Sequence, residues 1–316
     1  KDRKNSEIAG MDDEALRREI GTITEKFISL YMGGREDKSV LLNRSLDKTK
    51  DTAFEILKRM RIEFSLSRFE TKDVELSISY KGKVKPYKID LPDGGSITIS
   101  GTVDRVDVMD DGEKAYLRVV DYKTGGKDFK LSDVFDGLNM QMLIYLMCLW
   151  DNGKEHYGDI VPAGILYVPA NNSGTSLGRN ASDEEVVNQK LQNGKMNGMI
   201  LEDEYVLDGM EKGCNGSIII PKIDEKGRMK GTFLSIDGFI KLHKKIDSKL
   251  SEMGERLHAG KIEAFPVIGS SSYQYTCTYC DFKDICRRTG EDECREPLGL
   301  KHEEAVELLR GEKNDG

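Results

Sequence analysis

Two short segments carry the side chains best suited to chemistry: Gly101-Thr102-Val103-Asp104-Arg105-Val106-Asp107, followed by Val119-Val120-Asp121-Tyr122-Lys123. In an extended strand Asp121 and Lys123 project to the same face, roughly 7 Å apart, and Leu117 and Val119 precede them there. An apolar row thus ends in a carboxylate and an ammonium, a pairing suited to a metal-dependent phosphodiesterase. Asp121 can bind a hard cation through oxygen, and Lys123 can hold an attacking water or the charge developing at phosphorus. Asp104 is expected to supply a second carboxylate from the neighbouring strand. Ile97 and Ile99 have odd parity whereas Asp104, Val106 and Val108 have even parity, which predicts a bulge near Gly101 that flips the face. Taken alone, D-x-K is short and common, and Lys123-Thr124-Gly125-Gly126 would serve as well as a plain loop.

A further pair strengthens the pattern. The helix expected from Asp133 to Trp150 is apolar nearly all round after Met140, yet it carries Gln141 and Tyr145 at i and i+4, on one face. Buried polar groups need partners, and a phosphate or base beside a metal would supply them, as would a hydrogen bond into the core. Near the C-terminus, Cys277-x2-Cys280-x5-Cys286 is one thiolate short of a closed tetrahedral zinc or iron-sulfur site, with Cys294 farther on. Spacing leaves zinc, closed by Cys294, and iron-sulfur both open. Cys148 reads as a small core residue, and Cys214 as a turn residue with no partner nearby.

Several elements must position these groups. Residues 11 to 70 read as helix, with Ala53, Ile56, Leu57 and Met60 on one stripe and a break at Met32-Gly33-Gly34. From Val74 the period becomes two, through Leu76, Ile78 and Tyr80, and Pro86 and Asp93-Gly94-Gly95 punctuate the strands. Strands are expected over residues 97–108, 115–121 and 163–168. Residues 170 to 235 read as an excursion off the core, with a helix near residues 184–191 and a strand around 217–220. Helix returns over 236–258, with Phe239, Leu242, Ile246 and Leu250 at helical spacing, and again over 302–310. The expected organisation is one α/β domain: a helical N-terminal region over 1–70, a core over 71–170, the excursion over 171–235, and a C-terminal helix with the cysteines over 236–316.

Composition narrows the class. In 316 residues, 48 Lys plus Arg stand against 56 Asp plus Glu, for a formal charge of -8. Such a balance argues against a DNA coat held by a broad basic footprint, but not against an enzyme gathering carboxylates around a metal ion. The apolar stretch near Met140 to Trp150 is far short of the ~20 residues of a membrane span. The opening KDRKNSEIAG has no secretory signal character, so a reducing cytoplasm is expected, and the chain reads as a piece of a longer polypeptide. No phosphate loop of the G-x4-G-K-[ST] type is visible. The clusters Lys81, Lys83, Lys85 and Lys241, Lys244, Lys245 could follow a DNA backbone, although charge runs are more often solvated faces. Each of the four His residues reads most simply as a surface histidine.

In this order, GTVDRVD, VVDYKTG and QMLIY resemble the RecB-like branch of the PD-(D/E)XK nucleases, in particular its AddAB-type helicase-nucleases. The run LQNGKMNGMILEDEYVLDGM, the segment GKIEAFPV and the cysteine cluster add to the likeness, which covers roughly residues 53 to 310. The resemblance implies a restriction-endonuclease-like core, a mixed sheet flanked by helices. It implies that Asp104, Asp121 and the Tyr122 carbonyl bind Mg2+ or Mn2+, that Lys123 assists the attacking water, and that Gln141 and Tyr145 position DNA. Glu75 is its candidate for a further acidic ligand; as a polar-face strand residue it is equally a solvated carboxylate. Cys277, Cys280 and Cys286 are implied to hold a 4Fe-4S cluster with a fourth Cys far upstream, and no Cys precedes Cys148 here. The family's motif-one His is missing from the opening helices. The implied activity is DNA hydrolysis on the 5′-ended strand during double-strand break processing, with an AddA-type subunit as heterodimer partner. Two alternatives remain: an inactive DNA-binding scaffold lobe, and a CRISPR-associated RecB-like nuclease, against which the long excursion weighs.

Overall fold

A computed structural model describes residues 4–125, 129–170, 181–267, 277, 280–287, 289 and 292–310. In chain order the elements are α1 (Asn5–Ala9), α2 (Asp13–Met32), α3 (Val40–Leu66), β1 (Glu70–Ile78), β2 (Tyr87–Asp90), β3 (Ser96–Ile99), β4 (Gly101–Asp110) and β5 (Ala115–Lys123). Then come α4 (Ser132–Phe135), α5 (Gln141–Asn152), α6 (Lys154–Tyr157), β6 (Ile160–Pro169), α7 (Asp183–Asn193), β7 (Asn197–Leu201) and α8 (Glu204–Met210). The chain finishes with β8 (Lys222–Ile223), β9 (Met229–Lys230), β10 (Thr232–Leu234), α9 (Ile236–His258), α10 (Lys283–Cys286) and α11 (His302–Arg310).

Six strands form one mixed sheet in the order β1-β4-β5-β6-β7-β10. The β1-β4-β5 meander is antiparallel, β6 runs parallel to β5, and β7 returns antiparallel. β5 and β6 read as near-continuous apolar runs because helices cover both of their faces; Leu117, Val119, Ile165 and Leu166 are fully buried. α5 and α9 bury Leu143, Leu146, Phe239, Leu242 and Ile246 in the same core. The long helices start where a short polar side chain satisfies a free amide: Asp12 accepts from Ala15 N–H, Ser39 from Leu42 N–H and Ser235 from Gly238 N–H. α2 ends at Gly33, whose φ of 73° is the left-handed stop available to a residue without Cβ. Leu16, Ile20 and Phe54 give the N-terminal helices a small core of their own.

Several expectations need correction. The segment 171–235, read as an excursion, supplies β7 and β10 to the sheet, so much of it is core; residues 171–180 lie outside the described residues. The expected strand near 217–220 is an isolated bridge, Met196 with Ile219. The helix expected from Asp133 breaks at Gly137 and Asn139, with φ of 79° and 52°, and resumes at Gln141. The face change near Gly101 is not a bulge: β3 pairs with β2 in a separate hairpin, and the chain enters the main sheet afresh at Gly101. The bulge in this region lies in β1, between Thr71 and Asp73.

Candidate active site

The antiparallel register Arg105↔Val120 sets Asp104 beside Asp121 one step farther along, and partners in such a ladder share a face. The Tyr122 N–H donates to Asp104 Oδ2 at 3.1 Å, which fixes that carboxylate against the strand carrying Asp121. Asp121 is 8% exposed, and its Oδ2 lies 2.8 Å from Lys123 Nζ. The angles of that ion pair fall outside hydrogen-bond geometry, so Asp121 Oδ2 is a buried oxygen without a hydrogen bond. A buried carboxylate oxygen that has an ion pair but no hydrogen bond needs a reason. A hard cation that takes one or two carboxylates and completes its shell with water and substrate oxygens fits this one.

The other expected residues gather unevenly around this pair. Gln141 is exposed at the first turn of α5, and its Nε2 donates to Tyr145 Oη at 3.2 Å. Tyr145 in turn lies against Gly101, where a Cβ would overlap the hydroxyl. Any larger residue at 101 would have to displace Tyr145, and this close approach brings the polar face of α5 to the start of β4. Glu75 falls opposite Asp104 in the β1-β4 register, but it adopts φ 51° and is exposed. Among the described residues no three His, Cys, Asp or Glu side chains converge closely enough to hold a metal ion. Glu75 therefore does not join the two aspartates, and the thiols of Cys277, Cys280 and Cys286 do not form a closed site, with or without Cys294. Cys280 N–H bonds to Cys277 O at 3.3 Å, while Cys280 and Cys286 are exposed.

Other residues, passed over in the sequence, line a cleft of about 240 Å3 beside Lys123: Phe129, Asn139, Met140, Met142 and Tyr167, together with Gln141. Tyr167 pairs with Asp121 in the β5-β6 register. Burial raises its phenol pKa, and the charges of Asp121 and Asp133 raise it further, so it stays protonated. A polar-tipped ring in the otherwise apolar run GILYVP was the available signal.

Alternate residues on the same two strands build a different environment. Arg105, Asp107 and Arg118 are fully buried with Glu63 of α3. Arg105 donates to Asp107 Oδ1 and Oδ2 at 2.8 and 2.7 Å and to Glu63 Oε1 at 2.6 Å. Arg118 donates to Asp107 Oδ2 at 2.9 Å and to Glu63 Oε1 at 2.5 Å. Two guanidinium groups and two carboxylates sum to zero charge. Burial pushes the Asp107 carboxyl up, but Arg105 and Arg118 outweigh it and hold it well below the usual range. This quartet ties α3, β4 and β5 together directly behind the segment that carries Asp104 and Asp121.

The four His residues are not all surface groups. His243 is half-buried between Trp150, Asp151 and Asp247. His302 accepts the Leu131 N–H at Nδ1 (3.0 Å) and has Nε2 2.8 Å from Thr232 Oγ1. Cys148 is buried, its thiol pushed up to about 12 by burial, as a core residue would be. Of the basic clusters, Lys83 is paired with Asp73 and Lys85 Nζ donates to Tyr80 O at 2.9 Å, while Lys245 sits 5.3 Å over the Phe135 ring. No helix among the described residues is long and apolar enough to cross a membrane.

Comparison with known proteins gives the following likenesses. A sequence profile of the PD-(D/E)XK nuclease superfamily matches residues 9–287. The B subunit of the ATP-dependent helicase/deoxyribonuclease of Clostridioides difficile strain 630 is 27% identical over 96% of the chain and 27% of the relative. That of Clostridium novyi strain NT is 33% identical over 86% of the chain and 24% of the relative, and that of Thermoanaerobacter sp. strain X514 is 32% identical over 71% and 20%. The chain thus spans about a quarter of the length of the curated relatives it matches.

Proposed function

The chain belongs to the PD-(D/E)XK nuclease superfamily, and from that premise we propose that it is the nuclease domain of an AddAB-type helicase-nuclease, hydrolysing DNA phosphodiesters with Mg2+ or Mn2+. The observation that carries this reading is the buried Asp121 Oδ2, without a hydrogen bond, beside Lys123 Nζ and one strand from Asp104. Asp104 and Asp121, with the Tyr122 carbonyl, would hold the cation; Glu75, exposed and at φ 51°, is not among its ligands. When bound, the cation supplies Lewis-acid stabilisation of the phosphate and lowers the pKa of water. Lys123 orients the water and offers a cation to the charge that develops on the phosphoryl oxygens. Gln141 and Tyr145 orient the strand over the carboxylates. The names of the relatives support action on DNA as one subunit of a larger assembly; an AddA-type partner and a cytoplasmic setting belong to the proposal through the family resemblance. The 4Fe-4S cluster of Cys277, Cys280 and Cys286 belongs to this reading only with a fourth thiolate from a longer polypeptide.

End-labelled single-stranded DNA tests the reading. Metal-dependent release from the 5′-ended strand is expected, with Lys123→Ala reducing cleavage by about 100-fold or more. Equal cleavage by Lys123→Ala would remove Lys123 from the site, and metal-independent cleavage would overturn the mechanism.

A further inference from the structure

Lys123 has two neighbours for its ammonium. One is Asp121 at 2.8 Å; the other is the Tyr167 ring, whose centroid lies 5.8 Å from Nζ. A cation bound at Asp121 competes for that carboxylate oxygen and repels the ammonium. A lysine on a flexible four-carbon stem, with 37% of its side chain exposed, would then turn toward water unless a second group retained it. An aromatic face attracts an ammonium without consuming a metal ligand.

The ring is itself held firmly. Tyr167 stacks on Phe129 with centroids 6.1 Å apart and planes at 29°. Phe129 is buried and meets the His302 ring edge-on at 6.5 Å. His302 is fixed by Leu131 N–H and Thr232. A column of rings therefore runs from helix α11 to the cleft beside Lys123. We propose that Tyr167 is a positioning residue for Lys123, its ring holding the ammonium at the cleft once a cation occupies the aspartates. This rests on the nuclease reading of Asp104, Asp121 and Lys123.

The test compares Tyr167→Phe, Tyr167→Leu and Tyr167→Met in the whole chain, each checked by thermal melting. Lysines are reductively methylated with 13C, and the Lys123 signal is assigned by its loss in Lys123→Arg. With Ca2+ present, a ring-current displacement of that signal is expected in the wild type and in Tyr167→Phe, and its loss in Tyr167→Leu and Tyr167→Met. In cleavage of single-stranded DNA, Leu and Met should lower kcat roughly 3- to 30-fold at unchanged KM, with Phe restoring it. Met retains bulk, so it reads out the contact if Leu melts early. An undisplaced Lys123 signal in the wild type, or a signal unchanged by Leu and Met, overturns the proposal. Absence of cleavage by the wild type would count against the nuclease reading, while the resonance still decides the contact.

Discussion

At the scale of single residues, Gly101 shows how one missing carbon shapes the candidate site. A Cβ there would overlap the Tyr145 hydroxyl and come within 2.9 Å of its ring. Gly101→Ala should therefore displace Tyr145, and Gln141 with it through their hydrogen bond. We expect a roughly ten- to hundredfold fall in DNA cleavage, as for other misplacements of about 1 Å, with the fold intact by circular dichroism. Unaltered cleavage would show that Tyr145 has no positioning role. Asp104, Asp121 and Lys123 were legible because period two and a short polar cluster at a strand end survive in sequence. The neighbours Phe129, Asn139 and Tyr167 were not, because they reach the cleft from two loop positions and from β6 and carry no mutual spacing.

At the scale of elements, the buried quartet decides how α3 meets the sheet. Glu63→Gln leaves two guanidinium groups facing a single carboxylate, and we expect a loss of about 3 kcal/mol in urea unfolding. A loss below about 1 kcal/mol would show that the carboxylate is solvated. Asp107 adds an acid limit: its folded pKa is depressed, so its stabilisation is present above the unfolded value of 3.8 and lost as pH falls toward about 2.

A second polar cluster joins β2, α5 and α9. The Tyr87 hydroxyl donates to Asp247 Oδ1 at 2.5 Å and lies 2.6 Å from His243 Nε2, which is 3.3 Å from Asp151 Oδ2. Burial lowers the His243 pKa, but Asp151 and Asp247 outweigh it and raise the value above 6.5. The stability it contributes is complete below the unfolded value and is lost as pH rises through the folded one. The urea midpoint should decline from about pH 6.5 upward, and Asp151→Asn should flatten that slope; an equal slope in both proteins would remove His243 from the account. The quartet had a sequence signal, since Arg105, Asp107 and Arg118 put charge on the face of β4 and β5 opposite Asp104 and Asp121, among the apolar residues Val103, Val106, Leu117 and Val119. The second cluster had none, its members lying in three distant segments.

For the molecule as a whole, the family core was readable from β4 through α5, where local period and tertiary burial agree. The sheet's far edge was not. β7 is a five-residue strand and β10 a three-residue one; the Met199-Ile200-Leu201 run is buried on both faces, so it shows no alternation. Both strands lie among Gly, Asn and charged residues that read as loop. A segment that looked detachable is therefore what closes the sheet beside β6, the strand carrying Tyr167, and removing it would expose the edge of the site's own scaffold.

The quartet of Glu63, Arg105, Asp107 and Arg118 also bears on how such a chain can drift over generations. Exchanging one member strands an opposite charge in the interior, whereas an apolar set of similar volume at all four would be tolerated. Each form that lacks a single member is less stable than either end, so the interior behind the site works as a ratchet. Exchange is open only in charge-balanced steps, an arginine together with a carboxylate, and the strands of Asp104 and Asp121 inherit that constraint.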